Sequence, residues 1–464
     1  MLEGTLSPDQ DVARQRTDIA LPGHVLLLVA AMAAAIVAQG GYHLTGRALA
    51  TVLVCIAFCL AARNRQWSGM WPILSAAGAM VVWAVVRAVG AGAVTMAVPT
   101  VLSIVCLIAA LLVAQRTDAA QRELFAVVIT IVGALMAMSG WIAVVFRIPS
   151  WTTVANGLWR AATTITYPNA AGALLASVSV LAISLQLTRP RAVPYAAVTY
   201  LLLVGLAATL SRAALLALLV GLVVLGLLAG VRATVAHLAA PGLGAAVAVA
   251  GLVPLFPATA PARPVLAVLA LLAGLAVTAG LTRLRGRVRV VAALTGLALA
   301  LGTGAAMIGW GLAPRTLIGG RVSLSSPDRV HATDAALDVV AARPVFGVGP
   351  GRGWFTWTGE DGRQLAMRYV HNEYLQVLVE LGAIGLALVL CLLVAVAILV
   401  RRGRPGHGPV ALWAGSAAGL VALLVHSGFD FLWHIPAVLL TAGALIGLAA
   451  PPVQTVLPST EKER

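Results

Sequence analysis

The stretch that decides the fold is "RYVHNEYLQVLVELGAIGLALVLCLLVAVAILV", which runs from Arg368 to Val400. Every residue from 381 to 400 is apolar. A run of about 20 apolar residues is long enough for a helix to cross the hydrocarbon core of a bilayer. Because lipid offers no hydrogen-bond partners to the backbone, such a run must be helical. The stretch therefore predicts a transmembrane helix over 373–400 that begins beside a polar cluster.

The whole chain of 464 residues shares this character, with 61% hydrophobic and 10% charged residues. Soluble domains carry about 25% charged residues. We predict an all-α, polytopic transmembrane helical bundle of about 14 helices. The predicted spans are 21–40, 47–62, 69–88, 92–115, 123–146, 169–187, 194–210, 212–230, 235–255, 264–282, 289–311, 373–400, 409–427 and 432–450.

The formal net charge of +15 would suggest nucleic acid in a soluble protein. Here short arginine-rich loops carry much of the excess, which is the signature of cytoplasmic loops. The sequence therefore predicts no nucleic-acid partner, and an N-terminus inside the cell. The predicted inside loops are 62–67, 115–122, 188–191, 282–289 and 401–408. The outer face then receives 147–168 and the long loop 312–372, whose length indicates a functional role.

This topology divides the chain into four parts. We expect a cytoplasmic tail over 1–20, N-terminal transmembrane helices over 21–160, a second transmembrane region over 161–450 that includes the loop 312–372, and a cytoplasmic tail over 451–464. The four cysteines fall inside apolar runs, without the spacing of a metal site or a disulfide framework.

The polar cluster at 371–380 combines a helix start with an unusual carboxylate. Asn372 is a favoured helix N-cap, and His371 lies directly before it. Glu373, Gln376 and Glu380 are spaced to share one helix face. A capped helix with interfacial polar residues explains all but Glu380, which lies about two turns into the predicted span. Carboxylates inside the membrane are costly and typical of functional sites.

Arg212 stands between two apolar runs that must turn back on each other. Its side chain would reach the interface simply by snorkelling. The predicted topology, however, places it at the outer face, against the positive-inside bias. An arginine there is suited to hold a phosphate group.

The long loop contains Arg321, Arg329, Arg343 and Arg352. Its residues 328–342 have apolar positions at helical spacing, which predicts an amphipathic helix lying on the bundle. The motif "GVGPGRG" at 347–353 lacks a preceding strand, so it predicts a tight turn rather than a nucleotide site.

Two further polar groups allow both a structural and a functional interpretation. Asn169 opens the span 169–187, where a helix cap is the simplest interpretation. His426, Asp430 and His434 are four apart, which permits a metal site on an unbroken helix. Gly428 and the short re-entry at this point favour a break, so no metal site is predicted.

Taken in their order along the chain, these sequence motifs resemble those of the O-antigen ligase and O-antigen polymerase superfamily. The hallmark His-Asn-x-Tyr-Leu-x-x-x-x-Glu-x-Gly-x-x-Gly is matched by His371, Asn372, Tyr374, Leu375, Glu380, Gly382 and Gly385. Other family patterns are matched by Pro344, Gly347 and Gly349, by Ser211 and Arg212, by Pro168 and Asn169, and by His426, Ser427, Asp430, Phe431 and Pro436. Tyr167 replaces a family asparagine, and Ala332 replaces the tryptophan that follows the family arginine aligned with Arg329. The resemblance covers roughly 160–450.

The resemblance implies a glycosyltransferase of the cytoplasmic membrane without cofactor or metal. Its donor would be a glycan on undecaprenyl diphosphate, and its acceptor a hydroxyl of a glycan, lipid or protein at the outer face. Arg212 and Arg329 would stabilise the departing diphosphate, and His371 would deprotonate or position the acceptor. Glu380 would orient residues from within the bundle. The implied substrate-contacting residues are Arg321, Asn372, Tyr374, Glu380, Asn169 and Asp430.

Other functions remain open. A polysaccharide polymerase shares the same motifs. A membrane transporter would show paired broken helices near the middle of the bilayer, and the sequence does not suggest such a pair. A degenerate scaffold is disfavoured by the presence of His371 and Arg212.

Overall fold

The computed structural model describes residues 20–62, 69–284, 286–288, 290–292, 294–296, 327–358, 363–407 and 410–452. Helices form most of this part of the chain. They are α1 (Gly23–Val37), α2 (Leu44–Ala61), α3 (Trp71–Gly90), α4 (Val98–Gln115), α5 (Ala119–Phe146), α6 (Pro168–Thr188), α7 (Val193–Ala208), α8 (Arg212–Ala229), α9 (Val231–Leu252), α10 (Pro264–Arg283), α11 (Pro327–Ala342), α12 (Glu373–Arg402), α13 (Ala411–Ser427) and α14 (Pro436–Ala449).

Nine of the described helical segments are long and apolar enough to cross a membrane, and four shorter apolar helices accompany them. The predicted all-α polytopic bundle is confirmed. The boundaries agree closely with the apolar runs: the predicted spans 212–230 and 264–282 are the helices 212–229 and 264–283. Most of the predicted span 289–311 lies outside the described residues.

Two short β-hairpins stand in the segments that the sequence predicted as outer loops. Strands β1 (Thr152–Ala155) and β2 (Leu158–Ala161) pair between α5 and α6. Strands β3 (Phe355–Thr358) and β4 (Gln364–Met367) pair between α11 and α12. Sequence analysis missed both. The Asn156-Gly157 pair at positive φ was the available signal for the first, since this dipeptide favours a two-residue hairpin turn.

Helix α11 lies on the bundle as predicted for the loop helix. Its Ala332 and Ala336 are buried, and Ala336 belongs to a small apolar cluster with Phe355, Val370 and Val379. Small side chains on this face allow close packing against β3 and the first turns of α12. The packing holds the second half of α11 against the first two turns of α12.

The predicted transmembrane helix over 373–400 is not continuous, because α12 is broken at Gly382 (φ 69°, ψ −171°). The segment 343–349 inserts into the break. Val348 N donates to Val379 O (2.9 Å), and Ala383 N donates to Pro344 O (2.8 Å). A side chain at Gly382 would overlap the Val345 carbonyl. The inserted segment supplies the hydrogen bonds that the break removes, as buried backbone requires.

Arg116 and Arg122, at the connection between α4 and α5, meet the ends of α2 and α14 at one end of the bundle. Arg116 donates to Ala61 O, and Arg122 Nη1 donates to Ala450 O (2.7 Å). Arg189 pairs with Glu123 at 2.8 Å. The polar residues singled out at the helix starts lie at the opposite end. The bundle therefore separates the end that holds this connection from the end that holds the polar helix starts.

Candidate functional site

The centre of the polar end is a pair formed by His371 and Asp430. His371 Nδ1 lies 3.0 Å from Asp430 Oδ1. Asp430 belongs to the turn between α13 and α14 and is fully buried, while His371 adopts a left-handed backbone (φ 55°) directly before α12. The Asn372 side chain accepts from Tyr374 N and Leu375 N (3.1 Å each), which confirms the predicted N-cap. The cap fixes the direction in which the chain enters the helix, and thereby places His371.

The start of α6 supplies two more partners of Asp430. Tyr167 OH donates to Asp430 Oδ1 (2.6 Å), and Asn169 Nδ2 donates to Asp430 Oδ2 (2.5 Å). Tyr167 OH also lies 3.4 Å from His371 Nδ1. The interpretation of Asn169 as a helix cap is wrong, because α6 begins at Pro168 and Tyr167 occupies the N-cap position. Asn169 is the second residue of α6, and its side-chain amide bonds Asp430 and Arg160 instead of capping the helix.

Asp430 is held in its ionised form. Burial alone would raise the pKa of this carboxyl, but the hydrogen bond and charge of His371, together with the charge of Arg329, outweigh burial and hold the pKa well below its usual range. Burial first, and then the charge of Asp430, raise the pKa of Tyr167 well above its usual value. Tyr167 therefore remains a hydrogen-bond donor, and Asp430 an acceptor for several donors.

Arg329 reaches the same carboxylate from α11. Its Nη1 donates to Phe429 O (3.1 Å), and its Nη2 lies 3.4 Å from Asp430 Oδ2. The side chain of Arg329 keeps 29% of its surface exposed. The second contact is long, and a guanidinium carries five N–H donors. Arg329 is therefore both anchored to the site and able to bind an anion.

Arg212 is the first residue of α8 and follows the sharp turn 209–211. Arg160, on β2, joins this turn to the site: its Nε donates to Thr209 O and its Nη2 to Asn169 Oδ1, both at 2.9 Å. Sequence analysis missed Arg160. Its position in a segment predicted to be outside, against the positive-inside bias, was the same signal that drew attention to Arg212.

Glu380 and Tyr374 do not contact the His371–Asp430 pair. Glu380 Oε1 accepts from Gln376 Nε2 (2.7 Å), and Gln376 Oε1 accepts from Val370 N (3.0 Å). Glu380 is thus linked through Gln376 to Val370, the residue next to His371. Tyr374 OH donates to Leu424 O (3.0 Å) and ties α12 to α13.

A second acidic–histidine contact lies nearby. Glu373 accepts from Trp433 N, and His434 Nδ1 lies 3.4 Å from Glu373 Oε1. His434 therefore faces Glu373, whereas Asp430 faces His371. Arg321 lies outside the described residues.

The hypothetical His426, Asp430 and His434 metal site would have needed an unbroken helix. Helix α13 ends at Ser427, so the three residues are not stacked on one helix face. Within the described ranges no group of three or more His, Cys, Asp or Glu residues is arranged to hold a metal ion.

The helices define the class of this protein: it is a multi-pass membrane protein. Residues 262–390 match the model of a protein family described as O-Antigen ligase. The resemblance to the O-antigen ligase superfamily is therefore confirmed, and the match supports a membrane enzyme that processes glycans. No curated protein matches the chain. The matched stretch includes Arg329 and His371, whereas Tyr167, Arg212 and Asp430 lie outside it.

Proposed function

We propose that this protein transfers a glycan from undecaprenyl diphosphate to an acceptor hydroxyl, at the outer face of the cytoplasmic membrane. The observation that carries the proposal is the buried Asp430 carboxylate that faces His371 Nδ1 at 3.0 Å. The carboxylate lies beside Arg329, and both His371 and Arg329 belong to the stretch that matches O-antigen ligases. Acceptor activation and binding of an anionic leaving group are the two requirements of such a transfer.

His371 is the proposed general base. With Asp430 accepting from Nδ1–H, the neutral imidazole has its lone pair on Nε2. Nε2 is then the nitrogen that takes the proton of the acceptor hydroxyl. General-base help of this kind contributes about 10²–10⁴-fold. Asp430 acts as a positioning residue, because it fixes the tautomer and stabilises the imidazolium that forms.

Arg329 and Arg212 are the proposed phosphate-binding residues. Arg329 keeps part of its side chain exposed beside the His371–Asp430 pair. Arg212 stands at the N-terminus of α8, where the helix dipole adds partial positive charge. Two cations and a helix start suit the diphosphate that must depart with the lipid.

The remaining candidates have supporting roles in this proposal. Asn169 and Tyr167 orient Asp430, and Arg160 holds Asn169. Asn372 caps α12, Glu380 orients Gln376, and Tyr374 fixes α12 against α13. Arg321 is proposed from the resemblance alone to contact the substrate.

The proposed orientation follows from the charges. The arginine-rich end would face the cytoplasm under the positive-inside rule, so the site would face outward. The tails 1–20 and 451–464 would then be cytoplasmic, and the regions 21–160 and 161–450 would span the membrane. Surrounding lipids would bring the donor to the site laterally.

The test is a transfer assay with purified full-length protein in proteoliposomes that contain undecaprenyl diphosphate-linked glycan. An oligosaccharide, a lipid A core and a hydroxyl-bearing peptide are offered in separate reactions. We expect release of undecaprenyl diphosphate together with a glycosylated acceptor. Lipid-linked chains that lengthen without any acceptor would instead identify a polymerase. A donor that stays unchanged under all of these conditions would overturn the proposal.

A further inference from the structure

A cavity of about 380 Å³ opens beside the His371–Asp430 pair. The turn between α1 and α2 forms one wall, and the chain leading into His371 forms another. The residues that matter for its chemistry are Gln39, Tyr42, His43, Arg368, Tyr369 and Phe431. Gln39 and His43 are exposed, so the cavity communicates with solvent. Its volume lies at the lower end of the range of small-molecule sites, about 300–1,000 Å³.

Aromatic rings connect this cavity to the site. Tyr369 and Phe431 are stacked with centroids 4.4 Å apart, and Phe431 and Tyr167 with centroids 5.0 Å apart. The His371 ring meets the edge of Phe431 at 5.2 Å. A ligand at the edge of Phe431 would therefore be separated from the proposed general base, His371, only by the Phe431 ring.

Polar groups stand beside these apolar faces. The hydroxyls of Tyr42 and Tyr369 are 3.2 Å apart. Among the described residues, Nε of Arg368 is buried without a hydrogen-bond partner, and the guanidinium lies near the Tyr369 ring (5.5 Å). A buried donor of this kind costs free energy unless a ligand or water satisfies it. The cavity thus offers aromatic faces together with donors and acceptors.

The wall made by the α1–α2 turn is firmly held. Arg47 Nη2 donates to His434 O (2.6 Å) and to Tyr42 O (3.3 Å), and Arg47 Nη1 donates to Pro99 O (2.8 Å). Gly40, at φ 73°, packs so closely on Ile435 that a Cβ would lie 2.7 Å from the Ile435 side chain. The turn is therefore fixed against the same re-entry that carries Asp430.

We propose that this cavity is a carbohydrate subsite that takes one pyranose ring of the glycan substrate. A pyranose has an apolar C–H face that packs on an aromatic ring, and a rim of hydroxyls that needs both donors and acceptors. Tyr42 supplies the ring on which the pyranose packs, the edges of Tyr369 and Phe431 line the cavity beside it, and Gln39 and Arg368 supply polar groups. A lipid tail would leave these polar groups unpaired. The inference rests on the proposed function, because it assigns a substrate class to the same site.

The subsite also assigns a role to the N-terminal helices. Gln39, Tyr42 and His43 lie far outside the residues 262–390 that match the ligase family. Their side chains form the wall opposite the stretch 368–371, so they would contact the sugar that is placed next to His371. The α1–α2 turn would therefore determine which sugar is accepted.

Binding is tested without any transfer reaction. The full-length protein in nanodiscs is studied by saturation-transfer NMR with the methyl glycosides of glucose, galactose, rhamnose and N-acetylglucosamine. We expect saturation of the ring C–H protons of at least one glycoside, in the wild type and in His371→Ala. Tyr42→Ala and Arg368→Gln should each weaken it at least about fivefold, as loss of a stacking or hydrogen-bonding partner does.

Matched variants separate binding from misfolding. Tyr42→Phe keeps the ring and should retain binding within about threefold, which matches the small net contribution of one hydroxyl. Tyr195→Ala is the same truncation beside Arg189, at the opposite end of the bundle, and should change nothing. The proposal is overturned if no glycoside gives a signal above that of Tyr42→Ala, or if Tyr195→Ala and Tyr42→Ala weaken it equally.

Steady-state kinetics then distinguish the source of the sugar. A raised KM for the acceptor in Tyr42→Ala assigns the subsite to the acceptor, and a raised KM for the lipid-linked donor assigns it to the donor. An unchanged KM for both would overturn the subsite. Glycoside binding that persists while no acceptor is ever glycosylated would refute the proposed function and leave the carbohydrate subsite standing.

Discussion

Asp430 Oδ1 lies 3.0 Å from His371 Nδ1, although 59 positions separate the two residues in the chain. The two come from different connections, one before α12 and one between α13 and α14. Asp430 is fully buried, and its carboxylate also accepts from Tyr167 and Asn169. A buried carboxylate with this many donors is a rigid point, so the imidazole that it holds is oriented before any substrate arrives.

The first prediction concerns His371 itself. His371→Ala should reduce glycan transfer by about 10²–10⁴-fold while lipid-linked donor still binds, because only proton transfer is lost. Asp430→Asn should reduce transfer at least about 100-fold, since an amide does not stabilise the imidazolium. Transfer and donor retention are measured on the same proteoliposomes. Asn372→Ala serves as a structural comparison and should cost about 1 kcal/mol of stability through the lost helix cap. Wild-type transfer by His371→Ala would exclude the catalytic role.

The second prediction concerns the two cations. Arg212→Ala or Arg329→Ala should abolish transfer without reducing the amount of protein in the membrane. Arg→Lys at either position should restore activity only in part, because lysine lacks the bidentate fork of the guanidinium. The readouts are released undecaprenyl diphosphate and membrane immunoblots. Arg191→Ala, an exposed residue at the opposite end, is the control and should behave as wild type. Full activity of Arg212→Ala would leave interfacial snorkelling as the better account of that residue.

The third prediction concerns orientation in the membrane. In a background with the four native cysteines replaced by alanine, Thr153→Cys should react with a membrane-impermeant maleimide in whole cells, and Gly406→Cys only after lysis. Thr153 is exposed on β1, and a side chain at Gly406 meets no other atom within 4 Å. A cysteine at Gly403, in the same predicted inside loop, is unsuitable for labelling, because a Cβ there would overlap the Ala449 carbonyl. The reverse labelling pattern would contradict the outward-facing site.

The fourth prediction concerns metal ions. Transfer in the reconstituted assay should proceed in EDTA without added divalent cations, at a rate within about twofold of the untreated protein, since arginines neutralise the diphosphate. Dialysis against EDTA followed by the standard assay provides the measurement. A loss of activity that zinc or manganese restores would reopen His426, Asp430 and His434 as metal ligands.

The fifth prediction concerns pH and His434. Burial, and to a smaller extent the positive charge of Arg47, lower the pKa of this histidine. The charge and hydrogen bond of Glu373, together with the charge of Glu380, raise the pKa by more than this, so the net shift is upward. A raised histidine pKa contributes stability that is complete below the unfolded value, about 6.5, and is lost as pH rises through the folded value. Thermal unfolding of the purified protein should therefore occur at lower temperature above neutral pH than at pH 6. Glu373→Gln should flatten this dependence, and an unchanged slope in that variant would contradict the assignment.

The sequence by itself determined where most of the helices lie. The apolar runs 212–230 and 264–282 differ from the helices by a single residue at one end. They do so because lipid requires each spanning segment to satisfy its own backbone, so length and composition suffice. The helix cap was predictable from the sequence as well. Asn372 caps α12, because a cap depends only on the residues that follow it.

Only the tertiary structure decided which residues meet. The pairing of His371 with Asp430, the bridge from Arg160 to Asn169 and the insertion of 343–349 at Gly382 each join segments that are separate in sequence. Helix α6 is buried along almost its whole length, so its apolar pattern marks no preferred neighbour. Helices that are apolar on every side carry little record of their partners, and packing together with the few buried polar groups selects the arrangement that forms the site.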